Sequence, residues 1–209
     1  STGVIGQRLP YERVIDGVRH IVPNMSKEKG TDAAWAIMTT DTKKKESAYE
    51  LQLSGGTVRI GAMAKGSGMI HPNMATMLIF ITTDAAIKSE ILQYALSQVV
   101  PDTFNMISVD GDTSTNDMTV ILANGLAGNK IISECGEDFK KFKAALNFIC
   151  VKLCRLLAGD GEGATKLLEC NVTGAKDIKT AKIFSFLAIL VTLIRFPSLP
   201  FLTEYNRFI

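Results

Sequence analysis

A small residue followed by a threonine, Ala75-Thr76, lies inside the run Gly66-Ser67-Gly68-Met69-Ile70-His71-Pro72-Asn73-Met74-Ala75-Thr76-Met77-Leu78. Such a pair can cut its own chain. The Thr76 hydroxyl attacks the Ala75 carbonyl, the amide becomes an ester, and hydrolysis of that ester frees a new N-terminus at Thr76. Thr76 then carries a hydroxyl nucleophile and, beside it, an α-amine. The ordinary α-amine pKa of about 7.7–8.0 lets that group take the hydroxyl proton near neutral pH. The plainer reading of the same residues is a loop leading into a buried strand, with Thr76 as its first residue, and spacing alone favours that one.

Other residues offer supporting chemistry. A cation near an α-amine lowers its pKa, and Lys65 precedes the glycines of the same run; taken alone it reads as a surface lysine. His71, next to Pro72, reads as a loop histidine. The segment Gly159-Asp160-Gly161-Glu162-Gly163-Ala164-Thr165-Lys166 resembles a phosphate loop but has Ala164 where the second glycine must stand. Its alternate glycines allow close backbone approach, with Glu162 placed to meet a cationic group; a tight helix-to-strand turn with an exposed Glu162 explains it equally well. The loop from Asp110 begins like a calcium loop, but Thr115 and Ile121 replace the required glycine and glutamate. A hydrogen-bonded turn of short polar side chains is the better reading. No Gly-x-Ser-x-Gly elbow of serine hydrolases is present.

Composition narrows the field. The chain has 209 residues, 46% hydrophobic and 21% charged, with a formal net charge of +2, which describes a globular protein with a real core and no nucleic-acid-binding stripe. Lys43-Lys44-Lys45, beside Asp41 and Glu46, reads as a solvated turn. Cys135, Cys150, Cys154 and Cys170 include no Cys-x-x-Cys, and Cys150 and Cys154 share a helix face, which suits core packing better than zinc. Free thiols in a reducing compartment are expected, and with only His20 and His71 no metal centre is expected. The N-terminus shows no signal pattern, and a start at Ser1 without methionine suggests a fragment or a processed piece.

The elements that must position these groups follow from periodicity. Helices are expected at 11–21, with Val14, Ile15, Val18 and Ile21 on one face, and through Ala33 to Trp35 with Asp32 as cap. Another runs through Ile91 to Val99, with Asp84 and Ser89 as cap candidates, and a long one from Glu137 to Leu157. Tyr49, Leu51 and Leu53 alternate, turn at Gly55-Gly56 and return through Val58 and Ile60 as a hairpin. Thr76 to Thr83 suits a strand buried on both faces, and further strands are expected at 104–109, 119–123 and 167–172. Strands and helices mix throughout, giving an α/β or α+β layered fold of helices on a mixed sheet. Ile183 to Ile194 lacks charge but falls short of the roughly 20 apolar residues of a membrane span, so a buried helix is expected there, with a membrane anchor as the minor alternative.

Taken together, Ser1 to Gly6, Ile37 to Thr42, Lys65 to Leu78, Val109 to Asp117 and Gly159 to Lys166 resemble the bifunctional ornithine acetyltransferase family, also called glutamate N-acetyltransferase, of arginine biosynthesis. The resemblance implies an α/β sandwich of autoprocessed N-terminal-nucleophile type, cut between Ala75 and Thr76 into α and β chains. It makes Thr76 the nucleophile, Thr2 and Gly3 the oxyanion-stabilising pair, and Thr39, Lys65, Thr76 and Glu162 substrate contacts. The implied reaction is ping-pong, from N-acetylornithine to glutamate through an acetyl-enzyme. Acetyl-CoA is a further donor in some members, and no bound cofactor is needed. An α2β2 assembly in the cytoplasm, or in the mitochondrial matrix for a fungal member, is implied with it, and neither nucleic acid nor membrane. On this view residues 1–182 are a core fragment, with 1–75 part of the α chain and 76–182 the start of the β chain. Family members run to about twice this length, and the apolar stretch 183–209 departs from the family pattern, as a shifted reading frame or mispredicted gene end would. Two other functions stay open: an N-terminal-nucleophile aminopeptidase or amidase that gives its acyl group to water, and an inactive truncated remnant.

Overall fold

The computed structural model describes residues 6–71, 77–112, 114, 116–195 and 201–204, with side chains through residue 188. Its frame is a mixed sheet. Strand β1 (Lys45–Leu53) and β2 (Gly56–Lys65) form the expected antiparallel hairpin, with Leu53 opposite Gly56. The turn is one residue earlier than expected. Ser54 and Gly55 make it, Gly55 with φ +89°, and Gly56 already belongs to β2. A side chain on Gly56 would meet the Ala127 carbonyl at 2.7 Å, so the close loop there requires glycine. Strand β3 (Leu78–Thr83) pairs antiparallel with β2 and parallel with β5 (Met118–Ala123), giving the order β1-β2-β3-β5. Parallel pairing needs a crossover, and helix α3 (Ser89–Val99) lies in it.

One face of this sheet holds the core. Helix α4 (Glu137–Ala158) presents Phe142, Leu146, Ile149 and Leu153, all fully buried, toward Val58, Ile60, Ile79 and Ile81 of the strands. Cys150 and Cys154 are buried on that helix, as their spacing indicates, and burial pushes the Cys150 thiol up to about 12. The opposite face is only partly covered, by the short helix α2 (Gly30–Ala36). That corrects the expectation for β3: Ile79, Ile81 and Thr83 are buried, whereas Thr82 is exposed, because the outer face has only partial helical cover.

Other differences have local causes. Residues 104–109 are not one strand. A 3₁₀ turn, Phe104–Met106, leads to the two-residue strand β4 (Ile107–Ser108). Thr103 closes this turn, its hydroxyl donating to the Val99 carbonyl at 2.8 Å and its carbonyl accepting the Met106 amide at 2.8 Å. Asp32 lies inside the first turn of α2, and Lys29 is at its cap position. Asp84 accepts the Arg59 amide at 2.7 Å, and Lys88, without a side-chain bond, precedes α3. Helix α1 (Tyr11–Ile21) forms as expected but buries none of its residues.

A second small sheet has the order β4-β7-β6, with β6 at Leu168–Asn171 and β7 at Phe201–Glu204. Helix α5 (Ile178–Arg195) precedes β7. Through residue 188, where its side chains are described, it is not the buried helix expected: Ile183, Phe184 and Leu187 are about half exposed, and the contact side carries Ala181 and Ser185. Lys182 ties it to the Pro101 carbonyl and to Asp102, each at 2.9 Å. Among the described residues no helix is long and apolar enough to cross a membrane.

Candidate active site

Three loops meet at the open end of the β2 strand. The first is 39–42, ahead of β1; the second is 65–70, where β2 ends; the third is 159–163, where α4 ends. With Asp110 and Asp112 they wall a cleft of about 340 Å³. Thr39, Lys65 and Glu162, far apart along the chain, all line it. Lys65 is buried as the last residue of β2, and its ammonium donates to the Thr39 hydroxyl at 3.3 Å. Among the described residues no carboxylate lies within ion-pair distance of it. Thr2, Gly3, Ala75 and Thr76 lie outside the described residues. A larger hollow, about 590 Å³, lies between α2 and the outer face of β2 and β3; it contains none of the predicted site residues.

The glycine-rich approach is held in place by close contacts and by carboxylates. Gly66 has φ +149°, in the region that favours glycine. At Gly68 a side chain would stand 3.0 Å from Glu162 Oε2, so glycine lets the segment lie directly against that carboxylate. The Glu162 amide donates to the Ser67 carbonyl at 2.6 Å, and the Thr40 and Ser67 hydroxyls bond at 2.6 Å. Asp110 accepts the amides of Met69 and, at 3.0 Å, Ile70, and also the amide of Asp112 at 3.1 Å. That last contact is the short polar turn expected in place of a calcium loop. His71 Nδ1 bonds the Ser108 hydroxyl at 3.1 Å.

Two residues that sequence reasoning did not assign to the site hold its edges. Asp117 accepts the amide of Met77, the residue after Thr76, at 2.7 Å. Burial pushes its carboxyl up to about 6, against the pull of the Met77 amide, and its Oδ2 has no partner among the described residues. Lys45 corrects a reading outright: it is no part of a solvated turn. Its side chain is 1% exposed and its ammonium lies 2.5 Å from Asp41 Oδ1 and 2.6 Å from Asp160 Oδ2. Burial raises the Asp41 carboxyl, but the Gly66 amide, Lys45 and the Thr39 amide outweigh it, leaving the pKa below the ordinary value. Asp160 is lowered in the same way, burial being outweighed by Lys45 and Thr42. Among the described residues no group of three or more His, Cys, Asp or Glu side chains is arranged to hold a metal ion.

A cation, several carboxylates and hydroxyls around a cleft of this size suit a small ligand carrying both charges, on a mixed α/β frame. The chain belongs to the ArgJ family, whose sequence profile matches residues 1–194. It is 55% identical over 182 residues to the arginine biosynthesis bifunctional protein ArgJ of Symbiobacterium thermophilum, covering 87% of this chain and 45% of that one. It is 50% identical to the protein of that name in Geobacillus stearothermophilus, over 87% and 44% of the two chains. The chain thus spans a little under half the length of these curated relatives. The crystal structure of the argJ protein from Bacillus halodurans matches 52% of this chain and 50% of its own, with 43% identity and a TM-score of 0.47.

Proposed function

We propose that this chain supplies part of an acetyltransferase of arginine biosynthesis, moving an acetyl group from N-acetylornithine to glutamate. The Ala75-Thr76 bond is first cut by the Thr76 hydroxyl and water, which frees the Thr76 amine. That amine then takes the Thr76 hydroxyl proton while the oxygen attacks the acetyl carbonyl. The C–N bond breaks, ornithine leaves with the proton, and an acetyl ester remains on Thr76. The glutamate amine attacks that ester, giving N-acetylglutamate and restoring the hydroxyl. Thr2 and Gly3 stabilise the oxyanion of each tetrahedral intermediate, a contribution of about 10²–10³ in rate. Acetyl-CoA is an alternative donor, the working assembly is α2β2, its place is the cytoplasm, and no bound cofactor takes part.

The observation that carries this reading is the cleft itself, where Thr39, Lys65 and Glu162 meet. Lys65 offers a cation to the α-carboxylate that both amino-acid substrates possess, and Glu162 an anion to the side-chain ammonium of N-acetylornithine. The names of the relatives support the same pathway.

Intact mass and acetyl-transfer assays test it together. Two fragments are expected, the second beginning at Thr76, with transfer that requires glutamate. Thr76→Ala should leave one uncut chain and lower transfer by more than about 10³-fold. Acyl release to water at the same rate with and without glutamate would assign the chain to the amidase class instead. An uncut wild-type chain without transfer would mark it as a remnant.

A further inference from the structure

Lys45 is among the largest fully buried side chains of the described residues, and its ammonium has three acceptors: Asp41 at 2.5 Å, Asp160 at 2.6 Å and the Lys43 carbonyl at 3.3 Å. An ammonium has three protons, so all are used. Each carboxylate then reaches a different wall of the cleft. Asp41 accepts the Gly66 amide at 2.8 Å, directly after Lys65, and the Thr39 amide at 3.2 Å. Asp160 lies two residues before Glu162 and accepts the Thr42 hydroxyl, the Thr42 amide at 3.0 Å and the Lys43 amide at 3.3 Å. One cation therefore joins the three segments that carry Thr39, Lys65 and Glu162, without lining the cleft itself.

The pattern is more specific than a pair that only holds the fold. Removing two charges from water is expensive, and an apolar group of similar volume often serves stability as well or better. What an apolar group lacks is direction. The charged trio fixes donor and acceptor directions, and its partners include the backbone amides of Thr39 and of Gly66, next to Lys65.

We propose that Lys45 is a positioning residue for substrate binding: its buried ammonium, shared by Asp41 and Asp160, sets the spacing of Thr39, Lys65 and Glu162 across the cleft. This rests on the acetyltransferase reading for its kinetic consequence, and on the geometry alone for its structural one. Displacing substrate contacts by about 1 Å costs up to about 10²-fold. The cleavage chemistry at Ala75-Thr76 involves none of these three groups as reactants, so it should survive.

The test compares wild type with the double variant Lys45→Met/Asp160→Asn. The pair keeps the buried formal charge at that of one carboxylate, and the introduced amide retains an acceptor oxygen for the Thr42 and Lys43 amides, so the protein should fold. Two readouts are expected to move. KM for N-acetylornithine and for glutamate should rise about tenfold while self-cleavage remains complete. Amide hydrogen exchange at Gly66 and Glu162 should quicken about tenfold, with exchange in the α4 core unchanged. A folded double variant with a lower melting temperature but wild-type KM and wild-type exchange at those amides would overturn the proposal, since that is the signature of a stabilising role alone. Wild type without acetyl transfer would refute the acetyltransferase reading, and the exchange comparison would still decide whether Lys45 positions the cleft.

Discussion

The two ends of β2 are held by different physics. Toward its start, Val58 and Ile60 are covered by α4, and the contacts are apolar. At its end, Lys65 donates to the Thr39 hydroxyl and the Gly66 amide to Asp41, a carboxylate that also accepts the ammonium of Lys45 on the neighbouring β1. Apolar packing tolerates changes of shape if volume is kept. A buried polar cluster does not, because each member that loses its partner is left desolvated. Both regions hold the fold, and the second also sets what the folded chain holds at its cleft.

Substitution of the central cation should have the largest effect. Lys45→Met alone leaves Asp41 and Asp160 buried without their common partner, and a stability loss of about 3–5 kcal/mol is expected by denaturant unfolding. Leu146→Ala, in the apolar region, should cost about 2–4 kcal/mol through its cavity. The two should differ in kind. Protein that remains folded after Leu146→Ala should show wild-type KM, whereas Lys45→Met should disturb the cleft. Equal KM values in both would erase the distinction between the regions.

This contrast also explains what was legible in the sequence. The hairpin, α3, α4 and β5 were readable because apolar residues recur at periods of two or three to four, and those periods are local. Even there, periodicity says which residues share a face and not whether anything covers it, as α1 and the outer face of β3 illustrate. Lys45 was unreadable for a different reason. Its nearest neighbours in the chain are charged, so it looked solvated, and Asp160 lies 115 positions away. Lys65 and Glu162 stand out in the sequence by their glycine-rich surroundings, whereas Thr39, and the role of all three as substrate contacts, follow only from the resemblance of whole segments. Asp110, Asp117 and Asp160 stood inside those same segments, and the signal that was present, an acidic residue among glycines or short polar residues, is typical of a side chain that binds backbone amides.

The carboxylates should also separate by pH. Asp41 and Asp160 have lowered values in the fold, so they contribute stability above the unfolded carboxylate value, and this is lost as pH falls through their folded values. Asp117 has the opposite sign. Its folded value of about 6 is above the ordinary 3.8, so the folded state holds the extra proton between them. Its contribution is complete below about 3.8 and disappears as pH rises through about 6. With solvent screening allowed for, the swing is on the order of 1–2 kcal/mol. Unfolding free energies measured from pH 4 to 7 should show that fall, and Asp117→Asn, which still offers the Met77 amide an oxygen, should flatten it. An unchanged slope in Asp117→Asn would place the titration elsewhere.

The smallest expected effect probes the polar region most finely. Met69 has φ +53°, and among the described residues it is the one non-glycine residue with positive φ. A left-handed backbone costs an ordinary residue about 1–2 kcal/mol, whereas glycine adopts it freely but loses more entropy on folding, about 0.5–1 kcal/mol. Met69→Gly should therefore be neutral or stabilising by up to about 1 kcal/mol, although it removes a side chain at the cleft. The conformation persists because Asp110 holds the amides of both Met69 and Ile70. Removing that clamp with Asp110→Ala should release the strain, and Met69→Gly should then recover less stability in the Asp110→Ala background than in wild type. A double-mutant cycle with no coupling would show that Met69 adopts its angle independently of Asp110, and that carboxylate clamps orient this cleft at Lys45 and its partners but not here.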